Sequence, residues 1–192
     1  MEVKSLYHLL ALETSFEETV ELAANIAEAP IAFISFIDSN YIWLKSQIGI
    51  HQKKNDYLDF VKVILGTLQD TEKKQLIISD TLADQRTAHH SLVISEAKIR
   101  FYAGIPININ GKQIGILSVM DYVSKTITNK CQKSLEKLSI HISTQVKLQH
   151  KLYDFSRKFI KLQEIADENQ EKKTLHLLER AIAASNNGIV IS

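Results

Sequence analysis

The chain has 192 residues, 45% of them apolar and 23% charged, with a formal net charge of +1. This is the make-up of one folded domain with an extension, or of two small domains, and so neutral a balance offers no electrostatic case for nucleic acid or an anionic membrane. The longest apolar runs, such as Ile31-Ala-Phe-Ile, fall far below the roughly 20 residues a membrane span needs. Met1-Glu-Val-Lys does not open as a signal peptide, and the single cysteine, Cys131, excludes an intramolecular disulfide and fits a reducing, cytoplasmic setting.

In chain order, Ser15-Phe16-Glu17-Glu18 reads as a capping box. Behind it Phe16, Val20, Ala23 or Ala24 and Ala27 recur at helical spacing, which predicts a helix to about Glu28, stopped by Pro30. Strands are predicted over Ile31–Asp38 and, after Ser39-Asn40, over Tyr41–Ile48. A loop around His51 to Asp56 leads to a helix over Asp59 to Leu68, then a short strand over Gln75–Ser79. Asp80 to Glu96 is a long polar connection with a helical piece or two. Two further strands follow, joined at Asn110-Gly111, the dipeptide that supplies both positive φ angles of a tight hairpin turn. From Thr128, an expected N-cap, helical sequence runs without Gly or Pro to Gly188; helical from Asn129 to about Lys173, it is too long to be only the core helix of a small domain.

In the first strand Ile31, Phe33, Ser35 and Ile37 share one face and Ala32, Ile34 and Phe36 the other. In the last, Ile114, Ile116 and Met120 are expected opposite Leu117 and Val119. Both faces are apolar, so both require cover, while the tight hairpins demand antiparallel neighbours. The expected fold class is α+β: three layers, α/β/α, around a central antiparallel sheet, with a long C-terminal helix.

From Phe16 to Leu152 these segments resemble a GAF domain, the small-molecule-sensing module of signalling proteins, and most closely the bacterial subgroup that precedes PAS, cyclase or histidine-kinase domains. The resemblance rests on the helix ending Ala29-Pro30, Ile31-Ala-Phe-Ile-Ser-Phe-Ile-Asp38, Trp43-Leu-Lys-Ser46 with Gly49, Ile78-Ser-Asp-Thr-Leu-Ala-Asp-Gln-Arg86, Ile99-Arg-Phe-Tyr-Ala-Gly-Ile-Pro106 and Gly115-Ile-Leu-Ser-Val-Met-Asp121. It implies a ligand pocket between one sheet face and the helices and loops of the middle segment, with Phe36, Trp43, Phe60, Ile64, Tyr102 and Met120 as candidate lining residues. The alternative is that these large side chains simply fill the core. Where the subgroup carries a Phe-Cys-Ala element, this chain has Asp59-Phe-Val-Lys-Val-Ile64, so chemistry that uses that cysteine is not expected. Leu177–Ile191 resembles the first helix and strand of a PAS domain. The expected organisation is therefore a GAF-like sensory domain over 1–147, a coiled-coil linker helix over 148–174 and a truncated PAS-like start over 175–192, all a fragment of a longer receptor. A kinase or cyclase output domain beyond Ser192 stays open.

The chemistry-bearing residues point away from catalysis. Relatives of this fold that reduce methionine sulfoxide or hold a bilin covalently use cysteines in the pocket loops, and Cys131 on the exit helix serves neither, so neither activity is expected. Asn129-Lys130 resembles the opening of the cyclic-nucleotide signature, but Phe155 leads to Phe159 and no acidic pair, so cyclic GMP is not expected. His89-His90 reads as a solvated loop pair rather than a haem or metal ligand. Asp80, Asp84 and Arg86 read as a loop brace. Arg100 and Tyr102 share a strand face, where they meet a carboxylate or phosphate ligand or form a snorkelling surface pair. No catalytic or metal residues and no cofactor are expected; an unidentified small-molecule ligand stays open.

Along the exit helix Leu148, Leu152, Phe155, Phe159, Leu162, Ala166 and Asn169 step by 4, 3, 4, 3, 4 and 3. This is a heptad seam with Asn169 able to fix register; His141 and Gln145 interrupt it upstream, where the helix should pack on its own domain. A parallel homodimer is expected, relaying ligand or partner binding to downstream PAS and output domains. The alternative is a ligand-free structural dimerisation module.

Overall fold

A computed structural model describes residues 16–38, 41–51, 53–69 and 75–187. Helix α1 (Glu17–Ala27) begins with two acidic residues, Glu17 and Glu18, against the positive end of its dipole and buries Val20, Ala23, Ala24 and Ala27 along one stripe. Its N-cap is Phe16, without a side-chain cap hydrogen bond; the capping serine, Ser15, lies outside the described residues. Glu28 closes the helix in the left-handed region at φ 48°, Ala29 N–H donates to Ala24 O at 2.9 Å, and Pro30 cannot continue it. Strands β1 (Ile31–Asp38) and β2 (Tyr41–Ile48) follow; the hairpin turn Ser39-Asn40 lies outside the described residues. At the end of β2, Gly49 takes φ 73°, and a Cβ there would sit 1.9 Å from the Pro30 carbonyl oxygen. Only glycine fits that approach.

Helix α2 (Lys54–Gln69) starts earlier than expected. The predicted loop to Asp56 is already helical, because Tyr57, Phe60, Val61, Ile64 and Leu65 bury one continuous face that tertiary packing extends upstream. Strand β3 (Leu76–Ile78), the four-residue helix α3 (Ser91–Ile94), β4 (Phe101–Ile109), β5 (Lys112–Asp121) and α4 (Asn129–Asn187) complete the chain. The β4–β5 turn has the expected left-handed pair, Asn110 at φ 51° and Gly111 at 77°. Thr128 caps α4 as expected, its Oγ1 accepting from Cys131 N–H at 3.2 Å. The helix does not stop near Lys173 but continues to Asn187.

The five strands lie in the order β2-β1-β5-β4-β3, every pair antiparallel. One face packs on α1 and on Leu135, Leu138, Ile142 and Val146 of α4. The other packs on α2, α3 and the connection before β4. The sheet is thus the middle of three layers, as the two-sided apolarity required. Ile31, Phe33 and Ile37 take the α2 side and Ala32, Ile34 and Phe36 the α1 side. One assignment fails. Ile114 joins Leu117 and Val119 on the α1 side rather than Ile116 and Met120. Asn108 pairs with Gln113 but Ile107 with Gly115, so Ile114 is the extra residue of a β-bulge, which turns its side chain to the opposite face.

The chain divides into two compact units, Met1–Leu148 and Gln149–Ser192. The described part of the second unit is helical throughout, and among the described residues no helix is long and apolar enough to cross a membrane.

Candidate functional site

The layer beneath α2 and α3 holds most of the buried polar chemistry on the sheet. Tyr102 is wholly buried; its ring centroid lies 5.2 Å from that of Phe60, which in turn meets His90 edge-on at 5.0 Å. The phenol and the Ser118 hydroxyl share a hydrogen bond at 3.2 Å. Burial holds the phenol protonated far above the usual tyrosine range, with Ser118 opposing in part. Ser35 also has zero exposure, sits in the same strand face as Ile31 and Phe33, and its hydroxyl has no hydrogen-bond partner among the described residues.

His90 is not the solvated loop residue expected. It caps α3, Nδ1 accepting from Leu92 N–H at 3.2 Å, and burial lowers its pKa against the opposing pull of Asp59 and Asp56. His89 is exposed. Arg100 is half-buried, with Nη1 donating to the carbonyls of Val93 at 2.9 Å and Ile99 at 3.0 Å. It therefore ties α3 to β4 rather than standing beside Tyr102 as a snorkelling pair. The Asp80 and Asp84 carboxylates accept from Leu82 and Arg86 N–H, both at 3.0 Å, and the Arg86 guanidinium adds a two-pronged contact to Asp84. Those hydrogen bonds hold the Asp84 carboxyl below its usual range, which is the brace geometry the spacing suggested.

The seven candidate ligand residues do not converge. Phe60, Ile64, Tyr102 and Met120 share the α2 layer with Arg100 at its edge. Phe36 and Trp43 lie across the sheet in the α1 layer, 5.9 Å apart between ring centroids, with Phe16 6.1 Å from Phe36. No single pocket takes both sets, because β1 alternates and Phe36 has the opposite parity to Phe33. Neither serine is singled out by the sequence as a candidate polar group, and His90 reads there as a loop residue rather than a cap. The signal for the serines was a hydroxyl interrupting an otherwise apolar strand face; nothing in the sequence marked His90 as a cap.

The junction where α4 begins is tied to α1. Lys125 Nζ donates to the carbonyls of Ala27 at 2.9 Å and Glu28 at 2.8 Å and to Asp121 Oδ2 at 2.6 Å, and lies 5.2 Å from the centre of the Phe101 ring. Cys131 Sγ donates to Ile26 O at 3.3 Å. Burial pushes this thiol's pKa up, against the pull of Lys125, so it is a packed group rather than an activated nucleophile. Both residues line a cleft of about 310 Å³ between the end of α1 and the start of α4. Among the described residues, no group of three or more His, Cys, Asp or Glu is placed to hold a metal ion.

On α4 the seam residues Leu148, Leu152, Phe155, Phe159 and Leu162 are 53–70% exposed, and Ala166 and Asn169 are exposed too.

A three-layer domain with an antiparallel sheet covered by helices on both sides, polar groups under one layer and a long exit helix has the build of a small sensory module. The family model for the GAF domain matches residues 11–146, and the chain belongs to the GAF family. A cyclic di-GMP phosphodiesterase of Pseudomonas aeruginosa is 32% identical over 109 residues, 55% of this chain but 18% of the relative; the chain thus spans under a fifth of that protein's length. The GAF domain of an Acinetobacter phosphoenolpyruvate-protein phosphotransferase superimposes with TM-score 0.55 at 14% identity, over 78% of this chain and 94% of the other. A GAF domain of Synechocystis in its photoproduct state does so with TM-score 0.58 at 10% identity, over 78% and 98%. These two likenesses are of fold.

Proposed function

We propose that this chain is a non-catalytic sensory module of a bacterial signal-transduction protein, working as a parallel homodimer that relays ligand or partner binding through α4 to PAS-like and output domains beyond. The membership in the GAF family and the similarity to part of a cyclic di-GMP phosphodiesterase support the signalling context. The exposed seam from Leu148 to Leu162 carries the relay. Five large apolar side chains in one stripe, each at least half in water, are what an unfilled helix–helix interface looks like. Burying the seams of two copies recovers on the order of 10 kcal/mol, against an association cost of about 4–15 kcal/mol. A balance so near even is one that a ligand with different affinities for two packings shifts.

Asn169 favours the parallel arrangement. In a parallel, in-register pair it meets its own copy and the two amides hydrogen-bond; in an antiparallel pair centred on the seam it faces Leu148, with its amide unpaired. Sedimentation of the chain carrying Leu152→Glu and Phe159→Glu tests the seam. The unmodified chain is expected as a dimer at hundreds of micromolar and the double variant as a monomer with unchanged helicity. A monomeric unmodified chain would refute the relay. A second reading, a dimerisation module without a ligand, is favoured by the complete burial of Phe60, Ile64, Tyr102 and Met120, which leaves the ligand layer packed.

A further inference from the structure

Gly104 sits in the middle of a buried strand face, where a side chain would ordinarily fill the layer. A Cβ there would fall 2.3 Å from the Tyr102 phenol oxygen and 2.7 Å from two of its ring carbons. The ring of Tyr102 therefore lies back along its own strand, over the space that glycine leaves. Gly104 pairs with Ser118, and Ser118 with Phe33, so the phenol meets the Ser118 hydroxyl in the same row, while Ser35 stands diagonally beyond on β1. A polar strip thus crosses the centre of an apolar layer. One end of it is satisfied by the phenol and the other, the Ser35 hydroxyl, is buried without a partner among the described residues. Packing alone does not call for a hydroxyl at Ser35, since alanine fills the same place without stranding a polar atom.

We infer that the space over Gly104 is a recess for a small, neutral, planar molecule bearing a hydroxyl or carbonyl, and that the Tyr102 side chain is its built-in plug. The inference deepens the sensory reading above and rests on it. Phe33, Phe60 and Met120 supply apolar walls, and Ser118 and Ser35 supply donors and acceptors. The Arg100 guanidinium is held at the edge by two carbonyls, and none of the buried polar side chains among the described residues is cationic, so an anion moved to the centre of this layer would lose its water without a counter-charge beside it. A neutral ring with one polar substituent reproduces what the phenol does now and, by reaching Ser35, adds the bond the fold lacks. Its apparent affinity is lowered by the fraction of time the plug is in place.

The test uses the whole chain and 4-methylphenol, the tyrosine side chain itself, as probe, with binding read by thermal shift and ligand-observed NMR. Tyr102→Ala is expected to bind the probe about 100-fold more tightly than the unmodified chain. Toluene, which lacks the hydroxyl, is expected to bind the same variant about tenfold more weakly, and Ser35→Ala with Ser118→Ala to erase that preference. Equal binding of 4-methylphenol and toluene, or equal binding of the probe with and without the Tyr102 side chain, overturns the inference. Should Tyr102→Ala not fold, Tyr102→Phe keeps the ring and removes only the bond to Ser118. It is expected to bind the probe several-fold more tightly than the unmodified chain, and an unchanged affinity overturns the plug. Sedimentation of the same samples separates the two claims: probe binding by a monomer defeats the relay alone, and a dimer that ignores the probe in every variant defeats the recess alone.

Discussion

A capping histidine is a pH sensor whether or not selection uses it as one. His90 can accept from Leu92 N–H only while Nδ1 is unprotonated, and burial disfavours its cation further. Its pKa in the folded chain is therefore below the ordinary 6.5, and between those two values the unfolded chain binds more protons. Stability from this group is complete above about pH 6.5, falls as the pH drops below it, and levels off once the folded-state pKa is passed. His90→Asn keeps an acceptor at the cap, since the Asn oxygen stands where Nδ1 was, and removes the titration. The urea midpoint of the unmodified chain is expected to fall relative to that of His90→Asn between pH 7 and pH 5, and the two to run parallel from pH 7 to pH 8. Parallel curves over the whole range would place the acid sensitivity elsewhere.

Among the elements, what could be read in advance was what alternation and turn chemistry encode. Strand parity placed β1 correctly on both faces, and Asn110-Gly111 announced its turn. Ile114 defeated parity because a bulge breaks the period of two without leaving a mark in side-chain type. Phe36 and Trp43 were grouped with Phe60 on the family resemblance, although Phe36 and Phe33 already had opposite parity; the register then sets Trp43 beside Phe36. Lys125, with two carbonyls and a carboxylate at 2.6–2.9 Å, gave no warning as a tie to α1, since its two carbonyl partners lie 97 and 98 residues upstream. On α4 the heptad spacing was visible in the sequence, and its residues are on the surface. Asn169 is the informative position there. Asn169→Leu exchanges a polar pair for apolar burial and is expected to tighten association about tenfold or more, while relaxing orientation. Energy transfer between labels at position 187 separates the outcomes: a parallel-only signal in the variant would show that Asn169 does not set direction.

For the whole molecule, the decisive question is which unit carries self-association, because a relay needs the interface to lie on the helix that leaves the domain. The unit Met1–Leu148 has its own sheet and two apolar layers, so a chain ending at Lys147 retains those layers and loses the seam from Leu148 onward. The exposed large apolar side chains of the first unit, Tyr41 and Val123 among them, follow no heptad spacing in the sequence. Light scattering is therefore expected to give a monomer for residues 1–147 and a dimer for residues 1–192 at the same concentration of hundreds of micromolar, with the dimer dissociating on dilution into the low micromolar range. Two dimers would move the interface onto the sheet unit and make α4 a passive spacer. Two monomers would leave the seam idle, and the exposure of Leu152, Phe155 and Phe159 would then need a different partner. Only the split result lets a change under α2 reach a neighbouring domain by altering how two copies of one helix pack.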